Sequence, residues 1–239
     1  MTPKFPITVR AVAYDLDGTL VDSVGDLAFA ANLMREELGL APIPESEIKT
    51  YIGKGIGNLV RRAVMRGRDR GDDVSDAYVA AALAICERHY AQVMCRTTRP
   101  YPFAVDGLEA ALDKGFRLAV ITNKAARFTE RMLEELDIAK YFELTLCGDS
   151  LPHKKPHPEP LIYAAQHFGI PPSELLMVGD SENDTQAAHN AGSPTFIVRY
   201  GYYQGHDLAE LNATAIIADL VEAAKLIENS AFAKRTINL

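Results

Sequence analysis

The stretch "AVAYDLDGTLVDS", Ala11 to Ser23, shows how this chain is organised. An apolar run stops at Asp15, and a single leucine separates that aspartate from Asp17. In open parallel sheets, ligands bind beyond the carboxyl ends of the strands. A buried strand that ends on two aspartates therefore predicts chemistry at this edge of a sheet.

The pattern on the C-terminal side of this stretch changes twice. From Asp22 to about Thr98, apolar residues recur with helical spacing and give no strand signal, and Asp22 or Ser23 is placed to cap the first helix. Farther on, short apolar runs alternate with amphipathic segments, which predicts a parallel sheet covered on both faces. We therefore predict an α/β, Rossmann-like core domain at 1–21 and 99–239, with an inserted helical cap domain at 22–98.

Composition narrows the expected partners. The formal net charge is -7 and acidic and basic residues are interspersed, so neither nucleic acid nor a membrane surface is expected as a partner. The N-terminal residues show no signal-peptide pattern, and the longest apolar stretch, "AYVAAALAIC", is too short to cross a bilayer. Three widely spaced cysteines predict neither disulfides nor a zinc site. We expect a cytoplasmic protein, and the sequence leaves its oligomeric state open.

Polar residues also follow the other predicted strands, at or just beyond the apolar runs: Thr122, Asn123, Lys155, Asp180 and Asp184. Several carboxylates at one edge repel one another unless a cation joins them, and an all-oxygen site suits Mg²⁺, which often bridges protein carboxylates to phosphate. With a phosphoester bound there, Asp15 can attack phosphorus as a nucleophile and Asp17 can reach the leaving oxygen. The pattern thus indicates phosphoryl chemistry.

Four motifs carry a family resemblance, and they occur in the family's order: "DLDGT" at 15–19, "TN" at 122–123, "KP" at 155–156 and "GDSEND" at 179–184. Over nearly its whole length the chain resembles the haloacid dehalogenase superfamily of aspartate-nucleophile phosphohydrolases. The predicted helical insert falls where members with a helical cap carry theirs. The stretches "KPHPEPL" and "VGDSENDTQAAHNAG" are similar to the phosphoglycolate phosphatase branch.

The resemblance implies a role for each aspartate of the first motif. Asp15 would be the nucleophile, and its other carboxylate oxygen would bind Mg²⁺. Asp17 would be the general acid and base, and its backbone carbonyl oxygen would also bind the metal. A single carboxyl group serving both half-reactions agrees with microscopic reversibility.

The resemblance also implies roles for the other three motifs. Thr122 and the backbone N–H of Asn123 would hold phosphoryl oxygens, unless these two residues only cap the following helix. Lys155 would neutralise charge between the nucleophile and the phosphate. Asp180 would complete the metal ligands, and Asp184 would lie in or just behind them, unless it is the N-cap of its helix.

The segment "GKGIG", 53–57, could be mistaken for a nucleotide-binding loop, but it follows a helical stretch instead of a strand. Because caps in this family present a loop to the substrate, we interpret Gly53–Gly55 as a specificity loop. Lys54 or Arg62 would then bind a substrate carboxylate. The alternative is a flexible connection with solvated charges.

The expected function is Mg²⁺-dependent hydrolysis of a small phosphorylated metabolite, most simply 2-phosphoglycolate to glycolate and phosphate. One alternative is a sugar phosphomutase of the β-phosphoglucomutase type. Another is a phosphatase for a different small phosphoester or for pyrophosphate. A non-catalytic phosphate-binding module is disfavoured because Asp15, Asp17, Thr122, Lys155 and Asp180 are all present.

Overall fold

The fold is an α/β sheet structure with a helical segment inserted after the third strand. The computed structural model describes residues 4–67, 74–203 and 207–229. The strands are β1 (Ile7–Val9), β2 (Ala11–Tyr14), β3 (Val21–Asp22), β4 (Arg99–Pro100), β5 (Arg117–Ile121), β6 (Leu144–Leu146), β7 (Leu175–Gly179), β8 (Thr195–Val198), β9 (Ala215–Ile217) and β10 (Ile227–Asn229). The α-helices are α1 (Val24–Glu37), α2 (Glu45–Lys49), α3 (Ile56–Met65), α4 (Asp76–Val93), α5 (Ala104–Asp113), α6 (Ala126–Glu135), α7 (Glu159–Phe168), α8 (Glu182–Ala191) and α9 (Leu220–Lys225).

Six strands form one parallel sheet in the order β6-β5-β2-β7-β8-β9. Strand β2 lies inside it, where Ala13 pairs with Ala119 of β5 on one side and with Met177 of β7 on the other. The chain first extends the sheet from β2 to β6 and then crosses back to continue with β7. The strand order therefore reverses at β2, which places the ligand crevice at the carboxyl ends of β2, β5 and β7.

Both faces of this sheet are buried, which explains why its strands are apolar along their length. In β2, Val12 and Tyr14 belong to one core cluster, whereas Ala11 and Ala13 belong to the other. Helices α7 and α8 cover the face of Ala11 and Ala13, and helices α5 and α9 lie on the opposite face. The structure thus confirms the α/β fold with a central parallel sheet.

The segment between β3 and β4 contains the four helices α1 to α4. Helix α1 packs along α4, and α3 also packs on α4. Met34, Val60, Ala82 and Tyr90 are buried among them and belong to the same core cluster as Val12. Within the described ranges, none of the helices has the length and apolar character that a membrane span requires.

The start of the inserted segment differs from the prediction. Asp22 lies in β3, which pairs antiparallel with β4, so that Val21 faces Pro100 and Asp22 faces Arg99. Two-residue strands have no periodicity that a sequence could display, which is why the prediction missed them. This pairing holds side by side the two segments that connect the sheet to the helices, one leading into α1 and the other leading out of α4. The division into core and cap domains stays a prediction.

Candidate active site

Strand β2 delivers Asp15 and Asp17 to the crevice. The Asp15 N–H donates to the Val178 carbonyl oxygen at 2.9 Å, which extends the pairing of β2 with β7 by one residue. The chain then turns at Gly18, whose φ is +90° and where a Cβ atom would lie 2.2 Å from Oδ2 of Asp180. Only glycine satisfies both conditions, so the Asp-Leu-Asp-Gly sequence keeps the end of β2 against the end of β7.

Lys155 lies between two carboxylates beside the end of β2. Its Nζ is 3.0 Å from Oδ1 of Asp15 and 2.6 Å from Oδ1 of Asp184. The lysine is only 2% exposed. Burial alone would lower the pKa of Lys155, but the charges of Asp15 and Asp184 outweigh burial and raise it. Lys155 is therefore a buried ammonium that neutralises negative charge at this point.

Asp184 is in the first turn of α8, but it is not the N-cap. Ser181 occupies that position, and Asp184 completes a capping box by accepting from the Ser181 N–H at 3.0 Å and from Ser181 Oγ at 2.8 Å. The same Oδ2 atom accepts from the Asp180 N–H at 3.1 Å. The other oxygen remains for Lys155, so one side chain stabilises both the helix and the lysine.

Asp15, Asp180 and Asp184 form a buried acidic cluster in which one ligand oxygen from each lies within 4.8 Å of the others. Burial raises the pKa of Asp15 to about 6, with Lys155 opposing this change and Asp184 adding to it. The pKa of Asp180 also lies well above its ordinary value, because of burial and the charges of Asp184 and Asp15. Lys155 supplies a single positive charge for three buried carboxylates, and their all-oxygen donor set fits a hard divalent metal ion.

Asp17 faces away from this cluster. Lys124 Nζ lies 3.1 Å from both of its carboxylate oxygens, and Ser23 Oγ donates to Oδ1 at 2.6 Å. Lys124 also donates to Tyr90 Oη of α4 at 2.7 Å. Asp15 and Asp17 are thus in different electrostatic surroundings, which favours different chemical roles for them.

Sequence reasoning did not find Lys124 or Ser23. The available signal for Lys124 was its position directly after "TN" at the end of β5. Ser23 was predicted as a possible cap, and it does stand at the N-cap position of α1, but its hydroxyl makes no capping hydrogen bond and bonds to Asp17 instead.

Thr122 and Asn123 lie at the end of β5, and neither caps the next helix. The N-cap of α6 is Ala125, and the first N–H of the helix, from Ala126, donates to Asp149 Oδ1 at 2.8 Å. The Asn123 Nδ2 group donates to the backbone oxygens of Lys155 at 2.8 Å and Gly53 at 2.9 Å. Asn123 therefore links the Lys155 loop to the loop between α2 and α3.

Lys54 and Arg62 do not join the other predicted site residues. The Lys54 side chain is exposed. Arg62 donates to the backbone and side-chain oxygens of Thr50, and its guanidinium lies over the Tyr51 ring, 4.1 Å from the centroid. Their role in binding a substrate carboxylate stays a prediction. The Gly53 carbonyl oxygen, next to Lys54 in the chain, does reach the site, where it accepts from Asn123.

A cavity separates the sheet edge from the helical segment. Asp15, Asp17, Thr122, Asn123 and Lys124 line it on the sheet side. The side chains that line it from the helical segment are Leu27, Ile52, Ile56, Leu59 and Tyr90. The polar edge of the sheet thus faces a largely apolar surface, as in sites that bind a small molecule with a few placed polar groups.

Comparison with known proteins identifies the family. The model of the haloacid dehalogenase-like hydrolases matches residues 12–198, from β2 to the end of β8. The chain belongs to this family. The match begins on the strand that directly precedes Asp15 and includes all four motifs at the crevice, so the resemblance seen in the sequence is confirmed.

The relatives are similar over almost their full length. A phosphoglycolate phosphatase of Nitrosospira multiformis is 48% identical over 95% of this chain and 99% of its own length. One of Thiobacillus denitrificans is 46% identical over 94% of this chain and 98% of its own length. The crystal structure of a predicted phosphoglycolate phosphatase from Haemophilus somnus superposes with a TM-score of 0.86 at 33% identity, covering 91% of this chain and 97% of that one. The chain is an enzyme, a phosphoric monoester hydrolase similar to these proteins.

Proposed function

We propose that the chain is a Mg²⁺-dependent phosphatase that hydrolyses 2-phosphoglycolate to glycolate and phosphate through an aspartyl-phosphate on Asp15. The observation that carries the mechanism is the contrast within the aspartate pair. Asp15 lies beside Lys155 and the acidic cluster, whereas Asp17 bonds to Lys124 and Ser23. The substrate is supported by the relatives named phosphoglycolate phosphatase.

Two in-line displacements account for the reaction. A carboxylate oxygen of Asp15 attacks phosphorus, the bond from phosphorus to the ester oxygen breaks, and the leaving glycolate oxygen takes a proton from Asp17. Water then attacks the same phosphorus and gives a proton to Asp17, and the bond from phosphorus to the Asp15 oxygen breaks. Phosphate leaves, and both aspartates return to their initial states.

The other residues of the crevice stabilise charge. Thr122 and the Asn123 N–H would hold the phosphoryl oxygens, while Lys155 would balance the charge on the phosphate and on Asp15. Asp15, the Asp17 carbonyl oxygen, Asp180 and Asp184 would hold Mg²⁺, which supplies positive charge to the phosphoryl group when bound. Residues 22–98 would act as a cap that excludes bulk water.

The test is phosphate release from a panel of small phosphoesters, with Mg²⁺ or with EDTA. We expect Mg²⁺-dependent release with a preference for 2-phosphoglycolate, and a loss of at least about a thousandfold in Asp15→Asn. That variant also controls for a contaminating phosphatase. Release from other esters or from pyrophosphate alone would exclude the proposed substrate and retain the mechanism. Conversion of β-glucose 1-phosphate without phosphate release would instead show a mutase.

A further inference from the structure

The charge distribution of the cavity points to Lys124. Among the described residues that line it, those from the helical segment are uncharged, and the cation is Lys124, which pairs with Asp17. A carboxylate that leaves water for such a cavity needs a cationic partner, because an unpaired buried charge is strongly unfavourable. A substrate with a carboxylate besides its phosphate would meet this partner in Lys124.

Lys124 is fixed between the sheet edge and α4. It is 8% exposed, with its Nζ 2.7 Å from Tyr90 Oη and 3.1 Å from each Asp17 carboxylate oxygen. Burial alone would lower the pKa of Lys124, but the charge of Asp17 outweighs burial and raises it. An ammonium has three N–H donors, and Tyr90 Oη and the two Asp17 oxygens take up all three. A ligand carboxylate would replace one of the two Asp17 oxygens, which leaves the ion pair with Asp17 in place.

The position of Lys124 matches the short distance between the two acidic groups of phosphoglycolate. One methylene separates the ester oxygen from the carboxylate carbon, so the nearer carboxylate oxygen lies roughly 3 Å from the ester oxygen. In the proposed mechanism Asp17 contacts the ester oxygen, and Lys124 is one hydrogen bond away from Asp17. The substrate carboxylate would therefore lie within reach of the ammonium.

We propose that Lys124 binds the carboxylate of the substrate and makes the enzyme prefer phosphoesters of short hydroxy acids to neutral phosphoesters. This inference rests on the proposed phosphatase function, with Asp17 at the ester oxygen. Tyr90 orients the ammonium from the helical segment, so carboxylate recognition involves both sides of the cavity. Lys54 and Arg62, which do not line the cavity, are the competing candidates.

The experiment compares 2-phosphoglycolate with its neutral amide, phosphoglycolamide, in the wild type and in Lys124→Met. We expect the wild type to prefer the acid, and the variant to lose at least about a hundredfold in kcat/KM for the acid but less than about tenfold for the amide. An equal loss on both esters would show that Lys124 only positions Asp17 and would overturn the inference. The inference would also be overturned if Lys54→Met or Arg62→Gln selectively lost kcat/KM for the acid and Lys124→Met did not.

Tyr90→Phe gives a second test that keeps the buried ion pair and the size of the side chain. We expect KM for phosphoglycolate to rise by about three- to tenfold, with little change for the amide. Equal changes for the two esters would count against the inference. If the wild-type enzyme hydrolyses the amide with the same kcat/KM as the acid, the inference about carboxylate recognition is overturned, while the proposed phosphatase function stands. Absence of Mg²⁺-dependent release from every phosphoester would instead overturn the proposed function.

Discussion

At the scale of the single residue, Lys155 balances the charge of the site. It is buried between Asp15 and Asp184, and Asp180 lies close to both carboxylates. In Lys155→Met these groups lose their internal cation, so we expect the free energy of unfolding in EDTA at neutral pH to fall by about 3–5 kcal/mol. Urea denaturation measures this change, and phosphate release should fall in the same variant.

The neighbouring lysine provides the matched control. Lys154 is on the same loop but is exposed, and Lys154→Met should change the free energy of unfolding by no more than about 0.5 kcal/mol. Similar losses in the two variants would mean that the loop, and not the buried ammonium, determines the stability.

Residues at strand ends could be predicted from the sequence, whereas their partners could not. Asp15, Thr122 and Asp180 each follow an apolar run whose end is visible in the chain. Lys124 is important because of its contacts with Asp17 and Tyr90, which are 107 and 34 positions away in sequence. Such contacts depend on how the sheet and the helices pack, and no local pattern records them.

At the scale of the element, Asp26 fastens the first turn of α1 to the segment before β4. It is 2% exposed and accepts hydrogen bonds from Thr97 and Thr98, from the backbone N–H and the hydroxyl of each. Burial alone would raise the pKa of Asp26, but these hydrogen bonds outweigh burial and hold the pKa below its ordinary value. Asp26→Asn should lower the free energy of unfolding by about 2–4 kcal/mol at pH 7.

The pKa shift of Asp26 determines how that difference changes with pH. The folded-state pKa of Asp26 is depressed, so its carboxylate contributes fully to the free energy of unfolding above the unfolded pKa of about 3.9. This contribution to stability is lost as the pH falls through the folded-state pKa. The difference in free energy of unfolding between the wild type and Asp26→Asn should stay constant from pH 8 to 6 and narrow below about pH 4.

The matched control is Asp106, an exposed aspartate in the first turn of α5. Asp106→Asn should lower the free energy of unfolding by less than about 1 kcal/mol. A difference between the wild type and Asp26→Asn that widens in acid would refute this account.

The length of each helix or strand determined whether it could be predicted from the sequence. Helix α4, with 18 residues, and α1, with 14, repeat their apolar spacing often enough to be read. Strands β3 and β4 have two residues each, and they pair only because the ends of the helical segment meet. The sheet could therefore be predicted in outline, but the join between the sheet and the helices could not.

At the scale of the whole molecule, the site is assembled from two parts of the chain. The reversal of strand order at β2 gathers the motif residues, and the loop between α2 and α3 closes over them. The Gly53 carbonyl oxygen accepts from Asn123 Nδ2 at 2.9 Å and from Asn183 Nδ2 at 3.3 Å. With these contacts made, residues of the helical segment line one side of the cavity. We therefore expect the two parts to separate when a substrate enters or leaves.

Cross-linking the two parts should therefore slow turnover. Lys54 and Lys154 are both exposed, and Lys154 Nζ donates to the Lys54 carbonyl oxygen at 3.3 Å. In a Cys95→Ser background, which leaves only the buried Cys86 and Cys147, a short bismaleimide would join Lys54→Cys to Lys154→Cys. We expect kcat for phosphate release to fall at least about tenfold relative to the same double variant before cross-linking. Each single cysteine variant treated with the reagent controls for modification itself. Full cross-linking with unchanged kinetics would show that substrate exchange does not require the helical segment to move.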